Sequence, residues 1–201
     1  MSDKTLISIL VDRSGSMQSI ARDTEGGIRS FLDDQAKLPG KVKVRLSQFD
    51  TTYDVVYETT KLKDVPEFHL EPRGLTALVD SVAKTILDTD KTAKDFDKVI
   101  VLILTDGGEN ASKEWSAESA KKLVEARKED GWEFIFLGAN IDAVQTASQF
   151  GIDKDASLTY GANTRGVTNT FAAASAYTTT TRSGLVASFT EEDRTAALEG
   201  E

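Results

Sequence analysis

The sequence predicts an α/β fold: a three-layer, doubly wound arrangement whose central sheet is mostly parallel and has one antiparallel edge strand. Three observations predict it. Short apolar segments alternate with segments of helical periodicity, two of the apolar segments are nearly continuous in apolar residues, and two others are joined by too few residues for a crossover helix. Continuous apolar strands are typical of parallel sheets covered by helices on both faces, and strand–helix alternation favours right-handed crossovers.

Five segments have the composition of strands. They are Thr5–Val11, Val42–Phe49, Tyr53–Tyr57, Lys98–Leu104 and Glu133–Leu137. The first and fourth are the nearly continuous ones, so both should lie inside the sheet. The second alternates apolar and polar residues at its start, which predicts a half-exposed strand nearer an edge. Only residues 50–52 separate the second from the third, so these two should form a hairpin with an antiparallel edge strand.

Apolar residues at helical spacing fill the intervals. They predict helices from about Gln18 to Ala36, after Thr76, before Gly131, around residues 143–147, and over Thr164–Ser183. The segment 191–201 is acidic and should be frayed. The predicted organisation is one domain over residues 1–160 and a helical C-terminal extension, residues 161–201, that packs on or beside it and ends in an acidic tail.

Composition excludes several functions. The 201 residues carry a formal net charge of −9 and no cysteine. An acidic chain is a poor nucleic-acid binder, and thiol catalysis, disulfides and thiolate metal sites are impossible without cysteine. No apolar segment approaches the length of a membrane span, so no membrane association is expected. Because the polar start, residues 1–4, does not fit a signal peptide, the expected location is cytoplasmic.

Three loops carry hydroxyl and carboxylate groups at the predicted ends of strands or starts of helices. The loops are 12–16 (Asp-Arg-Ser-Gly-Ser), 73–78 (Arg-Gly-Leu-Thr-Ala-Leu) and 105–108 (Thr-Asp-Gly-Gly). Each one alone is equally typical of a turn or a helix N-cap, with Ser16 and Thr76 as the capping residues. Two of them follow strands at the carboxyl edge of the sheet, where ligands of open α/β sheets lie.

Together the loops supply two carboxylates and three hydroxyls, from Asp12, Ser14, Ser16, Thr76 and Asp106. All five are hard oxygen donors, a set that favours Mg²⁺, Mn²⁺ or Ca²⁺ over zinc or copper. Five such groups need not complete a six-coordinate shell, so one position should stay open to an incoming ligand.

The spacing Asp12-x-Ser14-x-Ser16, a threonine after Gly74, and Thr-Asp-Gly after a buried strand resemble the metal-ion-dependent adhesion site of von Willebrand factor A domains. The resemblance covers about residues 4–150. It implies a family member of the intracellular bacterial or phage kind, with a Rossmann-like fold in which those five residues surround a Mg²⁺-like ion. We expect Gly15, Asp80 and Gly107 to lie behind or at the rim of the site. The resemblance also implies that an acidic residue of a partner protein completes the ion's coordination.

Two other functions stay open. A metal-assisted hydrolase would need a general base, for which only Glu109 and Asp50 are candidates. A scaffold protein would use the ion only to stabilise its loops. His69, the only histidine, is expected to be an exposed loop residue rather than a ligand, and Asp80 suits either a supporting position or a solvated one. A metal-dependent, non-enzymatic protein-binding module is therefore the favoured hypothesis, with the partner and the oligomeric state left open.

Overall fold

The computed structural model describes residues 4–199 and contains one six-stranded sheet. The strands are β1 (Lys4–Asp12), β2 (Lys41–Phe49), β3 (Tyr53–Lys61), β4 (Lys98–Thr105), β5 (Glu133–Ala139) and β6 (Ser157–Tyr160). Their spatial order is β3-β2-β1-β4-β5-β6, and every pair is parallel except β2–β3. The predicted fold class is confirmed, including the antiparallel edge strand that the short turn at residues 50–52 requires.

Helices cover the sheet. They are α1 (Ala21–Ala36), α2 (Leu78–Ala93), α3 (Ala117–Glu129), α4 (Ala143–Ser148), α5 (Thr164–Arg182) and α6 (Glu191–Ala197). Helix α1 packs against α5, and α2 packs against α3. Residues 5–12 of β1 and 99–105 of β4 are buried throughout, as their continuous apolar sequence predicts. Among the described residues, no helix has both the length and the apolar character needed to cross a bilayer.

Helix α5 is held to α1 by buried polar contacts as well as apolar ones. Gln35 Nε2 donates to the backbone oxygen of Ser175 at 3.2 Å, and the Arg182 guanidinium donates to the backbone oxygens of Gln35 and Pro39, both at 2.9 Å. The C-terminal segment therefore packs on the sheet domain through α1. Gly200 and Glu201, the end of the predicted acidic tail, lie outside the described residues, as do residues 1–3.

The structure corrects two expectations. Helix α1 begins at Ala21 rather than near Gln18, because a 3₁₀ helix, Gly15–Ser19, comes first. The start of β2 alternates as predicted, with Lys41 exposed and Lys43 half-buried, but Arg45 does not follow the pattern: it is fully buried, and its guanidinium donates to Ser47 Oγ and, at 2.8 Å, to Asp88 Oδ2. Those partners remove the cost of burying a charged residue at a position where alternation predicts exposure.

The C-terminal third contains two elements that sequence patterns did not predict. Strand β6, where the sequence predicts no element, pairs with the outer edge of β5. The acidic segment expected to fray instead forms α6, which begins with a capping box in which Thr190 and Asp193 each accept from the other's backbone N–H. Ala197 of α6 is fully buried, so the helix is anchored at both ends.

Candidate metal centre

The first predicted loop leaves the carboxyl end of β1 and is folded back onto the Asp12 carboxylate. Asp12 is fully buried, and its Oδ1 accepts a 2.6 Å hydrogen bond from the backbone N–H of Ser14. The hydroxyl oxygens of Ser14 and Ser16 are 3.1 Å apart, and Ser16 Oγ donates to Asp106 Oδ1 at 2.7 Å. Because β1 and β4 are parallel neighbours, the loops that follow them meet at one edge.

The second loop reaches the same place from the start of α2. The backbone N–H of Gly15 donates to the Gly74 oxygen at 3.2 Å, which joins the first two loops. A methyl group on Gly107 would come within 3.3 Å of Thr76 Oγ1 and 3.7 Å of Ser16 Oγ, so both hydroxyls border the same glycine. The structure therefore brings together all five residues proposed as ligands, with Gly15 and Gly107 between them.

Helix capping does not explain the hydroxyls. The 3₁₀ helix is preceded by Ser14 and α2 by Ala77, and neither residue makes a side-chain capping hydrogen bond. Ser16 and Thr76, the two residues for which an N-cap was the alternative, have hydroxyls that lie beside Gly107 instead. Their side chains are thus available to a ligand at the sheet edge.

The two carboxylates lie in an environment that is short of positive charge. Burial raises the pKa of Asp12 to about 6, although hydrogen bonds from Thr105 and Ser14 oppose the shift, and burial also raises the pKa of Asp106. Within residues 4–199, neither carboxylate has a lysine, arginine or histidine nitrogen within 4.0 Å. A bound cation would supply the missing charge and favour the ionised form of both carboxylates.

The five oxygen donors at the carboxyl edge of the sheet are covered by protein on one side and face solvent on the other. Asp12, Ser14 and Thr76 are 0–3% exposed, whereas Gly15 and Ser16 are exposed and Asp106 is half-buried. A ligand could therefore approach the five oxygen donors from one side only. Across the described residues, no group of three or more acidic or histidine side chains is arranged to hold a metal, so the hydroxyls are essential to any metal site here.

Asn110 supports the second loop and was not predicted. Its Oδ1 accepts from the backbone N–H of Thr76 at 2.8 Å, and its own N–H donates to the Thr76 oxygen at 3.0 Å. This reciprocal pair fixes the backbone from which the Thr76 hydroxyl projects. No sequence pattern separates Asn110 from other polar loop residues, because the contact spans 34 positions.

Asp80 lies behind the site and holds the loop that follows Asp106. It is buried, and its carboxylate accepts from the backbone N–H groups of Lys113 at 2.8 Å, Glu114 at 3.0 Å and Trp115 at 2.8 Å. Glu109 acts similarly, accepting from the N–H of Val79 at 2.8 Å and from the following loop. Asp80 is therefore not a solvated helix residue.

A buried ion-pair cluster supports the first two loops. Asp50 Oδ2 accepts from Arg13 Nε at 3.0 Å and from Arg73 Nε at 2.8 Å, and its Oδ1 accepts from the Thr52 N–H at 2.6 Å. Asp54 also contacts Arg13. Burial alone would raise the pKa of Asp50, but the Arg73 and Thr52 hydrogen bonds and the Arg13 charge lower it to about 2. Asp50 and Asp54 therefore join the hairpin turn to the first two loops through Arg13 and Arg73.

The sheet order, with its antiparallel edge strand, and the loop constellation at the carboxyl edge define the class as the von Willebrand factor A fold. No family model matches the sequence, and no curated protein is similar enough in sequence to count as a relative. Solved structures show the likeness instead. The von Willebrand factor domain of the type V pili tip protein Mfa5 from Porphyromonas gingivalis has a TM-score of 0.68 at 9% identity, over 96% of this chain and 99% of that one.

Two further structures are similar over the same core. A proximal thread matrix protein 1 from the mussel byssus, described as having a zinc-occupied MIDAS (metal-ion-dependent adhesion site) motif, gives a TM-score of 0.64 at 12% identity. A von Willebrand factor type A protein from Catenulispora acidiphila gives 0.63 at 16%. Each alignment covers 87% of this chain but only 45% and 42% of the other, so the chain spans less than half of those proteins. At these identities the likeness shows the fold alone.

Proposed function

We propose that the protein is a divalent-metal-dependent protein-binding module without enzymatic activity. The observation that carries the proposal is the convergence of two carboxylates and three hydroxyls at a sheet edge that is open on one side. A Mg²⁺-like ion there would be held by Asp12, Ser14, Ser16, Thr76 and Asp106, directly or through water. The ion would supply positive charge and an open coordination position for an acidic residue of the partner.

The surroundings of the site support binding over hydrolysis. A metal-assisted hydrolase needs a base or nucleophile beside the ion. Glu109 and Asp50, the two candidates, are both engaged: Glu109 with backbone N–H groups, and Asp50 with two arginines. His69 is 72% exposed in its side chain and lies 3.8 Å from Glu25, on the segment that follows β3. It therefore offers no imidazole to the metal loops.

The rim supports binding over a purely structural ion. A structural site is closed by protein ligands, whereas Gly15 and Ser16 are exposed at this edge. Leu75, next to Thr76, is 55% exposed and gives the rim an apolar contact for a partner. Adhesins and pilus proteins are among the structures that share the fold, which is compatible with a role in protein interaction.

Isothermal titration of the chelator-treated protein with Mg²⁺, Mn²⁺, Ca²⁺ and Zn²⁺ tests the site. Zinc is included because the mussel protein is described with zinc in this motif. We expect saturable binding that is lost in the Asp12→Ala, Asp106→Ala double variant. The matched control is Asp95→Ala, Asp155→Ala, which removes two exposed carboxylates that form no ion pair among the described residues. Equal binding by both double variants would contradict the proposal.

A second measurement tests the open coordination position. Water-proton relaxation of the Mn²⁺-loaded protein reports exchangeable water on the ion. We expect strong enhancement that falls when a carboxylate ligand such as acetate is added. Weak enhancement that acetate does not change would indicate a saturated ion and hence the scaffold function.

A further inference from the structure

A groove separate from the metal loops runs along α1. Its walls are α1 and the segment 61–69, and its floor is formed by β2 and β3. The volume is about 900 Å³, in the upper range of ligand-binding clefts. Apolar side chains form the deep part, among them Ile28, Leu32, Val42, Tyr57 and Phe68. None of the five proposed metal ligands lines it.

The charge of the groove is opposite to that of the protein. Six lysine or arginine residues line it against three acidic ones, in a chain with a net charge of −9. Two of the acidic residues are already engaged: Glu67 with Arg29 at 3.0 Å, and Glu25 with the Leu70 N–H at 2.7 Å. Within residues 4–199, four of the cations have no carboxylate within 4.0 Å: Arg22, Lys41, Lys43 and Lys61.

Tyr57 adds a buried hydrogen-bonding group without a partner. Its side chain lines the groove and the residue is 8% exposed, yet its hydroxyl makes no hydrogen bond in the described part of the chain. An unsatisfied buried hydroxyl costs stability unless a ligand satisfies it. Because the hydroxyl oxygen is itself buried, a ligand reaches it only if the Tyr57 side chain moves, so the accessible features of the groove are its apolar floor and its four unpaired cations.

We propose that this groove binds an acidic peptide segment of a partner protein, with apolar side chains on the floor and carboxylates on the rim. Arg22 and Ala36, at the two ends of the α1 wall, are separated by 14 residues of helix, about 21 Å. An extended chain of about six residues spans that length. Cations spread over such a distance suit a ligand with several carboxylates rather than a small molecule with one.

The same features disfavour nucleic acid. The aromatic rings of Tyr57 and Phe68 are buried in the walls, at 8% and 9% exposure, and so offer no open face for base stacking.

The probe is a pool of labelled octapeptides in which Asp or Glu alternates with Leu, Val or Phe, titrated into the full-length protein by fluorescence anisotropy and by amide NMR. We expect amide shifts confined to residues 22–43 and 57–69. The Lys41→Glu, Lys61→Glu variant should bind about tenfold more weakly. The control Lys94→Glu, Lys154→Glu makes the same charge change at exposed lysines away from the groove and should bind like the wild type.

The Tyr57→Phe variant separates a binding role from a structural one. Because the hydroxyl has no partner, its removal should leave the melting temperature unchanged or higher. Because the hydroxyl oxygen is buried, its removal should weaken peptide binding several-fold only if the bound peptide draws the Tyr57 side chain toward the groove and accepts from it. A variant that binds the pool as tightly as the wild type would contradict the assignment of Tyr57.

Three further measurements identify the molecule that binds in the groove. Binding should be the same in EDTA and in Mg²⁺, so failure of the metal proposal leaves this result intact; loss in EDTA would place the peptide on the metal instead. Tighter binding of a labelled single-stranded RNA, weakened by the same charge reversal, would overturn the peptide assignment. Self-association that Lys41→Glu, Lys61→Glu abolishes would assign the groove to a second copy of the chain, and so would also overturn it.

Discussion

The Thr105 hydroxyl donates a 2.6 Å hydrogen bond to Asp12 Oδ2 across the boundary between β4 and β1. The other oxygen of the same carboxylate accepts from the Ser14 N–H. Both oxygens of Asp12 are therefore oriented by protein donors, and one of these donors directly precedes Asp106 in sequence. The carboxyl ends of β1 and β4 are thus linked by the Thr105–Asp12 hydrogen bond as well as by the hydrogen bond from Ser16 to Asp106.

Replacing Thr105 by valine should weaken metal binding. The substitution keeps the shape and removes the donor, so the ionised form of Asp12 loses a hydrogen bond worth about 1.5–3 kcal/mol. We expect Mn²⁺ affinity to fall at least about tenfold in calorimetric titration. Thr105→Ser keeps the hydroxyl and is the control, and equal affinities for the two variants would show that the hydroxyl does not act on Asp12.

Metal binding should require glycine at position 107, because a side chain there would crowd the site. A methyl group there would lie 3.3 Å from Thr76 Oγ1, so Gly107→Ala should displace that hydroxyl and lower Mn²⁺ affinity with little change in thermal stability. At Gly108 an added methyl meets nothing within 4 Å, so Gly108→Ala is the matched control and should bind normally. If both alanine variants bind alike, Thr76 is not close enough to the ion to matter.

The sequence predicted the parts of this protein whose signal is local. Continuous apolar residues identified β1 and β4 as interior strands, and the three-residue turn at 50–52 could only give a hairpin. The five oxygen donors were predicted because each stands where a strand ends or a helix begins, and the sheet topology brings such positions together. Local pattern and topology agree for these residues.

The missing parts depend on contacts between distant positions. Arg45 is buried because Asp88, 43 residues away, satisfies its charge. Strand β6 is only four residues long, and its strand character comes from pairing with the free edge of β5. Asn110 and Thr105 have ordinary loop and strand-end composition, and their supporting roles exist only once the loops converge.

Asp50 should give the protein a pH-dependent term in its stability. Its pKa falls from 3.8 to about 2 on folding, so its contribution is fully present above about pH 5 and is lost as the pH falls toward 2. Asp50→Asn removes one of the two carboxylates that contact the buried Arg13 guanidinium, and should cost about 1.5–3 kcal/mol at neutral pH. Urea unfolding of both proteins in EDTA, from pH 7 to 3, measures the difference.

That difference should stay constant from pH 7 to about 5. It should then shrink in more acidic solution, because Asp50 of the wild type protonates in the unfolded state before it does in the folded state. Asp95→Asn, at an exposed carboxylate without an ion pair among the described residues, should change stability little at any pH in the range. A difference that grows toward acid would mean that the Asp50 pKa is raised on folding, contrary to its arginine contacts.

Adjacent glycines in α1 should respond to alanine in opposite directions. A methyl group on Gly27 would lie 2.1 Å from the Phe171 ring of α5, so Gly27→Ala must push the two helices apart and should cost about 1–3 kcal/mol. At Gly26 an added methyl meets nothing within 4 Å, so Gly26→Ala should stabilise the helix by up to about 1 kcal/mol through its higher helix propensity. Both changes in the free energy of unfolding are measured by urea unfolding in EDTA, which removes any contribution of bound metal.

Since the two glycines share the same helix, the difference between the two variants isolates the α1–α5 contact. If Gly27→Ala proved as stable as Gly26→Ala, the packing of α5 against α1 would be looser than the structure has it.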